Sequence, residues 1–144
     1  MNPAHFDPHL KEKSAYKFWL KEHVRFTDLD ALGHVGAVRT NEYFNSVRAL
    51  FFKQTIPGWP QALQLPVLKL SVVQHDRELH FPCDIDVGMV IENWGRTSVT
   101  MVSGVFAEGC AALSRNVFVF IDGKTRTPTP PDEQIRQNFI KLAA

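Results

Sequence analysis

The sequence predicts an α+β fold in which an antiparallel sheet of about five strands packs around one long helix. Three observations lead there. A broad apolar helical stripe stands early in the chain, about four strand-like runs follow it in succession, and no repeat or linker separates them. A helix apolar over so much of its surface must be covered, and the strands that follow are the available cover.

Residues 1–20 are mixed and polar and read as an N-terminal arm, flexible or turning into a short helix around Ala15 to Leu20. His23 to Thr27 reads as the first strand, and Asp28 to Gly36 as a loop. From Val38 to Gln54 the period becomes helical: Tyr43, Val47, Leu50, Phe51 and Gln54 share one side, and Phe44 and Phe52 widen it. Ile56-Pro57-Gly58-Trp59-Pro60 ends the helix. Val67 to Leu79 is a less regular strand-like run. Asp84 to Ile91 alternates, with Ile85, Val87, Met89 and Ile91 on one face. Gly95-Arg96 turns into a strand over Ser98 to Phe106, and Glu108-Gly109 into another over Ala112 to Ile121. Its near-continuous apolar end, Val117 to Ile121, suggests cover on both faces. Thr129 is placed to cap a last helix with Pro130 at its first position, and Ile135, Phe139 and Leu142 give that helix an apolar side. The expectation is a single domain over 1–144, with a C-terminal helix in 130–144.

Bulk properties narrow the function. A chain of 144 residues with 44% hydrophobic and 22% charged residues suits an ordinary globular protein. A net charge of +1 gives no reason to expect a nucleic acid or a membrane surface as partner. Cys83 and Cys110 show no metal or redox spacing and fit a reduced, cytoplasmic setting. The first residues lack a basic start followed by an apolar run, so no secretory signal is expected. The longest strongly apolar run is far shorter than a membrane span.

The chemistry concentrates in Arg25-Phe26-Thr27-Asp28-Leu29-Asp30-Ala31-Leu32-Gly33-His34-Val35. Two carboxylates and a Gly-His pair stand where a strand hands over to a helix, and the first N–H groups of a helix have no partner inside it. A carboxylate beside such donors suits acyl chemistry, in which an oxygen attacks and an oxyanion develops. Asp also favours helix caps and tight turns, so a purely structural role stands beside the chemical one. Asp28 reads as the structural member, bonding local backbone N–H groups. Gly33 most simply supplies a positive φ. Glu42 reads as a solvated residue near the helix start. Other constellations fail: there is no Gly-x-Ser-x-Gly, no phosphate loop and no dinucleotide fingerprint. His75, His80 and Cys83 are weighed as metal ligands, but His75 and His80 are spaced to face opposite sides of a regular strand, so no metal site is expected. Trp59 and Trp94 read as core or interface residues.

These residues and their order resemble the hotdog-fold thioesterases, in particular the 4-hydroxybenzoyl-CoA thioesterase-like branch. Phe26, Asp28, Asp30, Gly33, His34 and Val35 follow that branch's entry into its central helix, and Tyr43-Phe44 and Arg48 follow its helix pattern. Gly95-Arg96-Thr97-Ser98 resembles its turn between strands, and the likeness spans residues 20–140. The chain departs from the branch at Gly36-Ala37, where Asn-Asn is frequent, and at Asn45, where Glu is frequent.

The resemblance implies an acyl-CoA thioesterase with no metal or bound cofactor. Asp30 would be the nucleophile or the base that orients water; His34 beside it reads either as a residue that orients the carboxylate or meets the thioester carbonyl, or as a loop histidine that only satisfies backbone groups. A backbone N–H of Gly36, Ala37 or Val38 would hold the oxyanion, so Ala37 joins the catalytic set. Gly33, Gly36, Val38, Asn45, Thr97 and Ser98 would line the substrate. Arg96, Arg115, Lys124 and Arg126 are candidates for the phosphates of coenzyme A, though scattered solvated residues explain them as well. The resemblance also implies a homodimer or tetramer with the acyl site between protomers. Three alternatives stay open: an acyl-carrier-protein thioesterase, a non-catalytic acyl-CoA or acyl-carrier binding module, and a hydratase on the same fold, whose motif this loop lacks.

Overall fold

The computed structural model describes residues 2–144. Its regular elements are β1 (Phe18–Val24), α1 (Ala37–Thr55), β2 (Gln64–His75), β3 (Cys83–Trp94), β4 (Ser98–Phe106), β5 (Cys110–Asp122) and α2 (Glu133–Ala143). The strands form one antiparallel sheet in the order β1-β3-β4-β5-β2, so β1 and β2 are its edges.

The concave face wraps α1. Tyr43, Phe44, Val47, Phe51 and Phe52 are buried there against Ile85, Val87, Met89, Val99 and Met101. Phe139 of α2 closes the far end, its ring edge-on to Phe51 at 4.8 Å. Truncating a fully buried ring such as Phe51 to alanine costs about 3–5 kcal/mol. The helical stripe runs on to buried Thr55 rather than to Gln54, which is exposed. Trp59 and Trp94 pack partly buried against this core.

The N-terminal segment departs from the expected arm. Two 3-10 turns, Pro8–Lys11 and Lys13–Ala15, lead directly into β1, with no α-helix over Ala15 to Leu20. Phe6, Leu10 and Tyr16 are buried on the convex face of the sheet with Val102, Phe106 and Leu113. Arg115 fastens the segment: it forms a bidentate pair with Glu92, donates to the Pro3 and His5 carbonyls at 2.7 and 2.6 Å, and lies over the Phe6 ring. This side chain is therefore part of the fold and not a free phosphate ligand.

Other boundaries shift for local reasons. The first strand is Phe18–Val24 and not His23 to Thr27, because pairing with β3 runs only from Phe18↔Met89 to Val24↔Cys83. At Arg25 the backbone N–H turns onto the Asp28 carboxylate, and the chain leaves the sheet in a 3-10 turn over Phe26–Asp28. β5 is buried on both faces at its start, Cys110 to Asn116, beneath the N-terminal segment, whereas Val117 and Val119 are only half-buried. The N-cap of α2 is Asp132. Thr129 is taken up by β5, its N–H donating to the Phe120 carbonyl.

Candidate active site

The loop between β1 and α1 is built around its two aspartates. Asp28 is buried, and one of its carboxylate oxygens accepts from the Arg25 N–H at 2.9 Å and from the Tyr43 hydroxyl at 2.6 Å. Burial opposes its ionisation, but these two donors together with the positive charges of Arg39 and Arg25 outweigh it and hold the carboxyl below its ordinary range. Burial and the Asp28 contact together push the Tyr43 phenol up, so it stays a donor.

Asp30 opens a tight turn. The Asp30 N–H donates to the His34 carbonyl, the Gly33 N–H donates to the Asp30 carbonyl, and the Leu32 N–H donates to Asp30 Oδ1 at 2.8 Å. Gly33 carries φ +82, the left-handed value this turn needs. Among the described residues Oδ2 has no hydrogen-bond donor, and it faces Gly36: a Cβ built at position 36 would stand 3.4 Å from it. Gly36 is the N-cap of α1, and a glycine cap offers no side chain to satisfy the first N–H groups. A free carboxylate oxygen and an uncapped helix start thus share one small space.

That space opens into a cleft of about 290 Å³ lined by Asp30, His34, Val35, Gly36, Ala37 and the stretch His75 to Glu78. Of the residues proposed from sequence, Asp30, His34, Gly36 and Ala37 come together here. Gly33 shapes the turn without lining the cleft. Val38 is 73% exposed on the helix surface, and the Asn45 side chain accepts from the Arg48 guanidinium. Thr97 and Ser98 sit at the β3–β4 turn, where Ser98 Oγ packs against Gly95 and would have to move for a Cβ there. That turn is at the other end of the sheet: Ser98 faces Val119 on β5, while His75 faces Ala112. Seven residues of strand separate the ends, roughly 20 Å. Arg96, Lys124 and Arg126 are exposed near that same remote end.

The stretch from Asp76 to Glu78 was missed because Val67 to Leu79 reads as one strand. The strand stops at His75, where the Asp76 and Arg77 N–H groups both donate to the Ala111 carbonyl. The signal was present in the consecutive ionisable run His75-Asp76-Arg77-Glu78. Among the described residues His75, His80 and Cys83 do not gather into a metal-ligand set. The thiols of Cys83 and Cys110 are pushed up by burial, Cys110 to about 11, which leaves neither a ready nucleophile. Glu42 pairs with Arg39 on the helix surface at 2.9 Å.

Comparison with known proteins agrees with this architecture. The family model of the thioesterase-like superfamily matches residues 24–139, and the chain belongs to that superfamily. Its five-stranded sheet around a long helix is the hotdog fold of those proteins. A Thermus thermophilus thioesterase, solved with coenzyme A and Zn, is 28% identical with a TM-score of 0.79, over 89% of this chain and 95% of that one. A Jannaschia thioesterase-superfamily protein is 26% identical with a TM-score of 0.80, over 94% and 91%. A Pseudomonas aeruginosa protein shares the fold with a TM-score of 0.83 at 20% identity, over 92% and 95%. Among curated proteins no match is found. Among the described residues no helix is long and apolar enough to cross a membrane.

Proposed function

We propose that this chain hydrolyses acyl-CoA thioesters to a carboxylic acid and free coenzyme A, with Asp30 as the reacting carboxylate. The observation that carries this is the unpaired Oδ2 of Asp30, set against the uncapped start of α1 inside a cleft. The thioester carbonyl carbon would take an oxygen from Asp30 or from a water that Asp30 orients. The developing oxyanion would rest on a backbone N–H at Gly36, Ala37 or Val38. The C–S bond then breaks, the thiolate leaves and takes up a proton, and water supplies the acid's second oxygen. A carboxylate near a helix N-terminus is stabilised as the anion, which favours attack or water positioning over strong proton abstraction. His34 lines the same cleft. The complex of the Thermus thermophilus relative with coenzyme A supports the choice of thiol.

A homodimer is part of the same reading, and the free edge of β2 supports it. Val67, Leu68 and Leu70 are 40–45% exposed along that edge, which has unpaired backbone groups. Antiparallel pairing of two such edges reverses their ends. It would bring Thr97 and Ser98 of the partner subunit toward the Asp30 end of the first, which is how residues so distant in one chain would serve one site.

The test is thiol release from aromatic, short-chain and long-chain acyl-CoAs by wild type and Asp30→Asn. Turnover that disappears in the variant supports the reading. Equal rates in both would remove Asp30 from the chemistry. A wild type that binds these thioesters without cleaving them would make the chain a binding module, and cleavage of acyl-carrier-protein thioesters alone would change the substrate.

A further inference from the structure

One wall of the cleft is unused by the reaction described above. It is the segment after β2, and it is held firmly. The Asp76 and Arg77 N–H groups donate to the Ala111 carbonyl at 2.9 and 3.1 Å, and two residues on, buried Leu79 accepts from the Val35 N–H at 2.8 Å. Position 78, pinned between these anchors, lies beside the catalytic loop.

Glu78 there stands between two imidazoles. Its Oε1 is 3.6 Å from His34 Nε2, its Oε2 is 3.3 Å from His80 Nε2, and the two rings meet edge to face with centroids 6.3 Å apart. Both separations are longer than ordinary hydrogen bonds, and they are ion pairs only when the imidazole is protonated. Among the described residues the three do not form a metal-ligand set. The His34 side chain is 24% exposed, against 63% for Glu78 and 62% for His80. His34 and Glu78 both line the cleft, and His80 stands outside that lining toward solvent. His34 is also tied to the reacting residue, because its carbonyl accepts from the Asp30 N–H.

We propose that Glu78 is a positioning residue of this cleft: its carboxylate, shared by His34 and His80, fixes the His34 ring in the wall beside Asp30. The proposal rests on the reading of the cleft as a hydrolytic site. An exposed ion pair alone holds little. A carboxylate with one ring facing each oxygen, on a segment anchored at both ends, has less freedom to turn away. An imidazole without such a neighbour turns about its last side-chain torsion, where the energy wells are broad. Loss of alignment of one cleft group shows in turnover more than in binding.

The experiment uses the full chain labelled with ¹⁵N-histidine. Ring signals of His34 and His80 are followed in wild type, Glu78→Ala, Glu78→Asp and His80→Ala, beside kcat and KM on the best acyl-CoA of the panel. In Glu78→Ala the ring signals of both histidines should move, kcat should fall about tenfold with KM within about twofold, and Glu78→Asp should recover part of the loss. His80→Ala should move the His34 signals through the shared carboxylate. Unmoved His34 signals in Glu78→Ala would overturn the proposal, as would moved signals with unchanged kcat. If wild type cleaves no thioester the hydrolytic reading falls, while the His34 signals still decide whether Glu78 holds that ring.

Discussion

Asp28 and Asp30 stand two residues apart in one loop and meet opposite surroundings. Asp28 is buried with two donors on a single oxygen, one from the backbone of Arg25 and one from Tyr43 of α1. Asp30 is exposed, uses Oδ1 in the turn and leaves Oδ2 open beside Gly36. One oxygen of the first carboxylate joins the loop to the helix. The second is held in place by one oxygen while the other stays available. The fold uses two lone pairs of the first carboxylate and one of the second.

Substitutions that remove one carboxylate at a time break this contrast. Asp30→Asn should lower kcat for thioester hydrolysis by about a thousandfold and leave the melting temperature within about 2 °C of wild type. Side-by-side kinetics and thermal melts check both halves. Gly36→Val should come next. A Cβ at position 36 already reaches 3.4 Å from Oδ2, and branching beyond it would fill the open space. Turnover should fall ten- to a hundredfold with the fold intact by circular dichroism.

Asp28→Asn should act the other way. Asparagine's amide oxygen can accept both donors but without the charge that strengthens those bonds, so stability should fall by about 1–3 kcal/mol, measured by urea unfolding. Tyr43→Phe should reproduce much of that loss. A variant at 28 that melts like wild type but has lost turnover would exchange the roles of the two aspartates. The smallest effect is the pH dependence of stability. The pKa of Asp28 is depressed in the folded state, so its contribution is complete above the unfolded carboxyl value near pH ~4 and disappears as pH falls through the folded value. Asp86, held by Lys13, and Asp122, held by the Thr125 and Lys124 N–H groups, lose stability in the same acidic window. Unfolding free energy should therefore drop below about pH 4 in wild type, and slightly less steeply in Asp28→Asn.

Much of this molecule was legible in its residues. The helical stripe from Tyr43 to Phe52 and the alternation from Ile85 to Ile91 depend on local periodicity, and both lie where the pattern put them. The junction motif from Asp28 to His34 was legible for the same reason, since a turn is written in neighbouring residues. The segment before Phe18 was not. Its apolar residues are sparse and unperiodic, and Phe6, Leu10 and Tyr16 find burial only because a sheet face made by distant strands, with Arg115 upon it, is there to receive them. Glu78 was missed likewise: an ionisable loop residue looks solvated until the fold sets it between His34 and His80.

The sequence by itself determined the fold class, the long helix, the succession of strands and the loop that carries two aspartates, because each is specified by side chains a few residues apart. Only the tertiary structure decided which aspartate is buried against the helix and which is exposed, which wall faces Asp30, and what covers the outside of the sheet. Those outcomes depend on partners such as Tyr43, Gly36, Ala111 and Val35, which meet only when α1 and the strand ends close on one another. Lone pairs and buried faces are satisfied by neighbours in space, and sequence spacing does not report those neighbours.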